Sequence, residues 1–397
     1  LSAYHAALDA VRGDRLVSSA LSGMAFDRPV MLVAAGKAAP AMARGAAGVL
    51  GDRIDRGLVV GTEDEDGHWP FPCRAIAAEH PVPGEGSLAA GEELLDLLEQ
   101  TPAEQEVLFL ISGGASSLVE APAPGVDLDD LRRANEWLLA SGLDIGRVNA
   151  VRRRLSRIKG GGLACYLDGR KALVLALSDV PGNDPAVIGS GWLARPAEAV
   201  LPAGLPGWLT ELAGQAPASP AADDPAWDNI HIEVIGDNRT ALDAAAETLA
   251  EAGLGVRVVG ERLEGEAAEQ GRAIARELTA GGEGVVLRGG ECTVKLPASA
   301  GRGGRCQHLA LAAAEVLAGR DDCWLLAAGT DGRDGNSDAA GALVDGGTVQ
   351  RGEREGRSAR EALEGADSGS FLDEAGDLVD TGPTGTNVND LVIGLKT

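Results

Sequence analysis

Gly329-Thr330-Asp331-Gly332-Arg333-Asp334-Gly335-Asn336-Ser337-Asp338 and Thr381-Gly382-Pro383-Thr384-Gly385-Thr386-Asn387-Val388-Asn389-Asp390 gather hydroxyls, amides and carboxylates on glycine-rich frames. Such groups hold phosphates and hard metal ions, and Gly lets the backbone itself approach a ligand. Turn formation alone is the competing explanation. Each loop abuts a short apolar run, Cys323 to Ala328 before the first and Leu391 to Leu395 after the second. That is where a rigid strand would hold a reactive loop in place.

The same design recurs upstream. Gly36-Lys37-Ala38-Ala39 joins an apolar run to a helical stretch, so backbone N–H groups and the Lys37 ammonium suit an anion; a solvated loop lysine is the alternative. Ser112-Gly113-Gly114-Ala115-Ser116-Ser117 reads as an N–H nest for phosphate or carboxylate, or as a tight turn. Asp179 ends a long apolar run, a place for a metal-binding or proton-accepting carboxylate, or for a turn cap. Glu291, in Arg288-Gly289-Gly290-Glu291-Cys292-Thr293, follows another such run, with a glycine-enabled hairpin into a short strand from Thr293 to Leu296 as the plainer account. Arg302 and Arg305 share a Gly frame suited to bidentate phosphate contacts. In the basic segment from Arg147 to Lys159, Asn149, Arg152 and Lys159 are candidates to face a cleft.

The elements that position these loops read as short apolar strands alternating with Ala/Leu-rich helices, the pattern of a parallel sheet covered on both faces. Strands are expected at Val30–Ala35, Leu58–Val60, Val107–Ile111 and Ala172–Leu177, with a helix from about Pro40. Helices are expected over Asp127–Ser141 and Val148–Lys159. Gly214 to Pro225, rich in Ala, Pro, Ser and Asp, reads as a linker. Beyond it a second set of strands is expected at Ile232–Ile235, Val256–Val259, Gly284–Leu287 and the Cys323 run, with helices over Asn238–Ala252 and Cys306–Leu317.

A chain of 397 residues, 45% of them hydrophobic, can bury two cores. Its net charge of -25 speaks against nucleic acid and anionic membrane as partners. Five cysteines without CxxC spacing speak against a disulfide framework or a zinc site. With no apolar stretch of membrane-spanning length and no leader pattern at Leu1-Ser2-Ala3-Tyr4-His5, a cytoplasmic protein is expected. There is no GxSxG elbow, no HExxH, no Walker A loop and no GxGxxG turn.

In combination and order, the segments resemble the class II glycerate kinases, the glycerate 2-kinase family whose C-terminal part is the MOFRL domain. The matching stretches are the Lys37 loop, Ala78-Glu79-His80-Pro81-Val82-Pro83, Leu110 to Leu118, Asn149 to Gly162, Leu177 to Asp184, Gly289 to Val294, Gly301 to Gln307, Gly329 to Ala342 and Thr381 to Leu391. Ala115, Trp192, Cys292, Cys306 and Asn336 depart from the family's usual residues. The resemblance implies two α/β domains, each a mainly parallel sheet flanked by helices: a larger Rossmann-like domain at 1–220 and a smaller one at 228–397, with the MOFRL region at about 285–397 and an active-site cleft between them. It implies phosphorylation of D-glycerate by ATP with Mg²⁺ or Mn²⁺, by a monomer or homodimer. Lys37, Asp179 and Arg305 would be catalytic, and Ser112, Gly113, Gly114, Ser116, Arg152 and Lys159 would bind substrate. Gly329, Thr330, Asp331, Thr384, Thr386 and Asn387 would bind nucleotide, and Asp179 and Glu291 the metal. Alternatives are phosphorylation of a related hydroxy acid, an NAD(P)H-dependent hydroxypyruvate reductase, for which the missing GxGxxG turn counts against, and a silent sugar-acid-binding protein.

Overall fold

The computed structural model describes residues 1–26, 28–63, 68–143, 145–196, 201–215 and 219–397. They divide into two compact units, one of Gly13–Ile235 and one of Leu1–Arg12 with Gly236–Thr397.

In the first unit, β1 (Val30–Ala35), β2 (Ile54–Gly61), β3 (Cys73–Ala77), β4 (Glu106–Ile111), β5 (Ala172–Ser178) and β6 (Ile230–Asp237) form one sheet in the order β3-β2-β1-β4-β5-β6. The first five pair with one another in parallel. All six residues of β1 are buried, as an apolar run covered on both faces must be. Phe109, Met31, Leu94 and Leu98 are buried in the core, the last two from the helix Glu85–Glu99. From β1 the chain winds outward to β2 and β3, then returns to place β4 on the other side of β1. The loops after β1 and β4 therefore diverge at a topological switch point, where open α/β sheets bind ligands. Register makes the two strand ends level, with Ala35 opposite Ile111, and β5 pairs Ala176 with Ile111 so that Asp179 emerges at the same sheet end.

In the second unit, β7 (Val256–Val258), β8 (Gly284–Gly290), β9 (Cys323–Gly329), β10 (Gly341–Asp345), β11 (Leu378–Val379) and β12 (Asp390–Lys396) are ordered β11-β10-β9-β12-β8-β7. Only β7 and β8 pair in parallel; β12 runs antiparallel to both β8 and β9, and β10 antiparallel to β9 and β11. The expectation of a mainly parallel second sheet is corrected here. Loops, rather than helical crossovers, connect β9 to β10 and β11 to β12, and they reverse the chain direction. The helix Arg305–Leu317 is buried on nearly every face, and its Ala-rich surface lets neighbours approach closely.

Other expectations shift for local reasons. The boundary expected between 220 and 228 falls at Ile235/Gly236, because β6 joins the first sheet and Trp227 is buried in that unit's core. Ile232–Ile235 thus belongs to the first set of strands. Of the expected linker, residues 216–218 lie outside the described residues, and Pro225–Asn229 is a short 3₁₀ turn. The helix expected over Val148–Lys159 spans Ile145–Arg154 and gives way to turns before Lys159. Thr293 makes one isolated bridge, to Glu266, in place of a strand to Leu296.

Candidate active site

The two switch-point loops of the first unit are locked together by their own backbones. Lys37 N–H donates to Gly113 O at 2.9 Å, and Ala38 N–H donates to Ser112 Oγ at 3.0 Å. Gly36 sits at φ +125°, and a Cβ there would lie 2.6 Å from Ser112 O, so only glycine permits this approach. Ser112 is buried and its hydroxyl serves as a latch between loops. Gly113 likewise serves Lys37 through its carbonyl. The Lys37 side chain is half-buried, as is Asp179 beyond β5.

Beside these loops lies a cavity of about 280 Å³, lined among others by His80, Gly114, Ser116, Glu120, Asn135, Arg152 and Lys159. Four of the six residues expected to bind substrate, Gly114, Ser116, Arg152 and Lys159, are therefore gathered in one place. Ser116 Oγ shares a hydrogen bond of 2.5 Å with Ser190 Oγ. Arg152 Nε donates to Asn135 Oδ1 at 2.9 Å, and Asn135 in turn donates to Leu131 O at 3.1 Å, which aims the guanidinium. Burial lowers the Arg152 pKa, with the nearby Glu120 charge opposing the shift. Lys159 is buried and ion-paired to Glu120 Oε2, while Glu120 Oε1 is buried with no hydrogen-bond partner among the described residues. Sequence reasoning missed Glu120 and Asn135. A lone acid inside Leu118-Val119-Glu120-Ala121 was the available signal for the first; nothing in the sequence marks the second.

The second unit builds a different constellation at one end of its sheet. Asp390, the first residue of β12, lies in register with Gly290 on one side and Gly329 on the other. Arg305, at the start of its helix, donates from Nε to Asp390 Oδ2 at 2.6 Å and pairs through Nη1 with Glu291 Oε1 at 2.7 Å. Burial opposes the charge on Arg305, but Asp390 and Glu291 outweigh it and raise the pKa. Burial raises the Asp390 pKa against the pull of Arg305. Asp334 accepts the backbone N–H groups of Cys306 at 3.0 Å and Gln307 at 2.7 Å, capping the helix that carries Arg305. Burial pushes the Asp334 carboxyl up to about 7, although those two N–H bonds favour its charged form. Asp334 and Asp390 belong to the two polar loops read from the sequence, but sequence alone assigns neither a role of its own.

The two polar loops are stitched into one body. Thr330 is fully buried; its Oγ1 donates to Asn389 O at 2.7 Å and accepts from Val388 N–H at 2.8 Å, and its carbonyl accepts from Thr384 Oγ1 at 2.5 Å. Gly329 O accepts from Tyr4 Oη at 2.6 Å. Thr330, expected to contact nucleotide, thus has its hydroxyl committed to holding the loops. Asp331 caps the turn at Arg333 N–H, and Asn387 is buried. Thr386 keeps a buried hydroxyl with no partner among the described residues. Thr384 also lines an open recess of about 440 Å³ with His5, Asp9, Arg12, Asp380 and Thr381. Asn336, one of the departures, ties two loops, accepting from Gly303 N–H at 2.8 Å and donating to Gly301 O at 3.1 Å. Cys306, another, is buried with its thiol pKa raised by that burial.

Among the described residues no group of three or more His, Cys, Asp or Glu side chains converges as a metal site. Mg²⁺ needs only one or two carboxylates, the rest of its shell coming from water and phosphate. Asp179 fits that demand as a half-buried carboxylate at the sheet end. Glu291 fits it less well, since Arg305 already engages one of its oxygens. No helix among the described residues is long and apolar enough to cross a membrane.

Residues 1–200 match the family model described as "Domain of unknown function (DUF4147)", and residues 284–390 match the MOFRL family. The chain is 38% identical to the D-glycerate 2-kinase of Thermotoga maritima, over 98% of this chain and 95% of that protein. It is 39% identical to a protein of Agrobacterium vitis provisionally named hydroxypyruvate reductase, over 91% of this chain and 86% of that one. The crystal structure of a Thermotoga maritima glycerate kinase superimposes with a TM-score of 0.84 at 36% identity, covering 100% of this chain and 98% of that one.

Proposed function

The chain belongs to the glycerate kinase family with a C-terminal MOFRL domain and is a kinase, and we propose that it transfers the γ-phosphoryl group of ATP to the 2-hydroxyl of D-glycerate, giving 2-phosphoglycerate and ADP. The observation that carries this reading is the small cavity beside the switch-point loops, with Arg152, Ser116 and the Lys159–Glu120 pair in its wall. Its volume suits a three-carbon acid, and Arg152 supplies the cation for a carboxylate.

Phosphoryl transfer asks for alignment and charge neutralisation more than for covalent work by the protein. The 2-hydroxyl oxygen forms a bond to the γ-phosphorus as the bond from that phosphorus to the β–γ bridging oxygen breaks, its electron pair leaving with ADP. The hydroxyl proton is released to solvent once the new bond has formed, since a loose transition state demands little of a base. In the first unit, Lys37 neutralises charge on the transferring group and Asp179 would hold Mg²⁺ or Mn²⁺, whose chemistry is to neutralise phosphate oxygens. In the second unit, Arg305 meets phosphate charge, while Asp331, Thr386 and Asn387 are its nucleotide contacts. Gly329, Thr330 and Thr384 hold the loop that presents them.

The test is ADP release from ATP and Mg²⁺ that depends on D-glycerate, with the product's phosphorylated carbon identified by phosphorus NMR. Phosphate on the third carbon, or no turnover, would overturn the reading. The sheet order shared with dinucleotide-binding folds favours one rival, a hydroxypyruvate reductase, which NADH oxidation by the purified protein would reveal. Lys37→Ala is expected to lower kcat/KM by about 10²–10³, the usual cost of removing one donor from a transition state. A folded variant with unchanged kcat/KM would remove Lys37 from the scheme.

A further inference from the structure

Glu120 has no part in the reaction described above, yet it stands in the wall of the same cavity. It is 2% exposed, and its two oxygens have unequal fates. Oε2 is held by Lys159, itself only 5% exposed, whereas Oε1 is buried and lacks a partner among the described residues. A buried acceptor left unsatisfied is costly and rare, so a site that keeps one is prepared for a donor brought by something else. The placement of Glu120 is also firmly built. Its N–H donates to Ser87 O at 3.0 Å, and Gly91 of the helix Glu85–Glu99 lies so close that a Cβ would press into the Glu120 carbonyl.

We propose that Glu120 is a specificity-determining residue whose free oxygen accepts a hydrogen bond from the substrate hydroxyl that does not react. The assignment rests on the glycerate reading of this cavity. A 2,3-dihydroxy acid presents one carboxylate, one reacting hydroxyl and one spare hydroxyl. Arg152 matches the carboxylate, and Glu120 Oε1 matches a neutral donor. An acid with methyl at the third carbon leaves Oε1 unsatisfied. One with a second carboxylate there brings like charge against it, so the residue selects short dihydroxy monoacids against both.

The experiment compares D-glycerate, D-lactate and 2-hydroxymalonate in the wild-type protein and in Glu120→Gln, with kcat/KM and calorimetric binding as separate readouts. Wild type should prefer glycerate over lactate by at least about tenfold, the worth of one hydrogen bond to a charged group, and should bind hydroxymalonate most weakly. In Glu120→Gln the preference for glycerate over lactate should shrink by about tenfold, and discrimination against hydroxymalonate should relax. A role confined to positioning Lys159 would lower glycerate and lactate together, and that outcome overturns the proposal. Equal binding of glycerate and lactate by wild type overturns it without any variant, which keeps the test decisive if Glu120→Gln fails to fold. Absence of glycerate-dependent turnover in wild type instead overturns the glycerate reading itself, so the two failures are distinguishable.

Discussion

Arg305 answers two carboxylates at once, and one of the two it leaves behind on mutation, Asp390, is buried. Arg305→Ala is expected to cost on the order of 3 kcal/mol of stability, because Asp390 loses its cation inside the protein. Urea unfolding checks this; the double variant Arg305→Ala/Asp390→Asn should recover part of the loss while remaining inactive. Asp334 adds a pH dependence. Its folded-state pKa of about 7 lies above that of an unfolded aspartate, so the native state holds the proton more tightly. The stability it lends is complete below pH ~4 and is lost as pH rises towards ~7. Thermal unfolding of the wild type, relative to Asp334→Asn, should therefore decline between those limits; a difference that grows with pH would refute the assignment. Lys37 and Asp179 stand out in the sequence as charges just beyond apolar runs and Arg305 as a charge on a glycine frame, whereas Arg152, inside the helix Ile145–Arg154, is marked only as one member of a basic segment. Glu120 and Asp390 were harder to read, since what marks them is burial and a partner about 39 or 85 positions away, which no local pattern carries.

At the scale of elements, close approach of backbones decides where the loops can stand. Gly36→Ala would force the loop after β1 away from Ser112 and strain a left-handed position. A loss of about 2 kcal/mol or more is expected, with activity falling further than stability, measured on folded protein by denaturation and turnover. Gly91→Ala should move the helix Glu85–Glu99 off the Glu120 backbone and disturb the cavity while leaving the second unit's hydrogen-exchange protection unchanged. The strands β1, β4 and β5 were readable because burial on both faces leaves a continuous apolar run of five or six residues in each. β10 and β12 were not placed as antiparallel neighbours of β9, because strand direction depends on which loops reverse the chain, and composition does not encode that. The reading of β6 as a strand of the second unit failed because a Pro- and Ala-rich stretch preceding it looks like a linker whether or not Trp227 is anchored in a core.

For the whole molecule, the assignment of Leu1–Arg12 to the second unit is the feature with the widest reach. Tyr4 is buried, and its hydroxyl satisfies Gly329 O at the end of β9. Tyr4→Phe is expected to cost about 1–3 kcal/mol by leaving that carbonyl unanswered, with the loss confined to amides of 236–397 in hydrogen exchange. The charge of -25 does not conflict with an anionic substrate, because Arg152 and Lys37 supply local positive charge in the first unit, Lys159 being paired with Glu120, while net charge acts on the molecule as a whole.

This assignment also imposes a timetable on biosynthesis. The helix Ser2–Ala10 is translated before residues 13–235, whereas the helix Asn238–Glu251 on which it packs is translated after them. At roughly 5–20 residues per second, its apolar face of Tyr4, Ala7 and Leu8 waits on the order of 10–50 s for a docking surface. Through that interval the segment is open to chaperones and proteases. The Tyr4 hydrogen bond forms only when the polar loop is in place, so a segment made ahead of residues 13–235 is among the last to be folded.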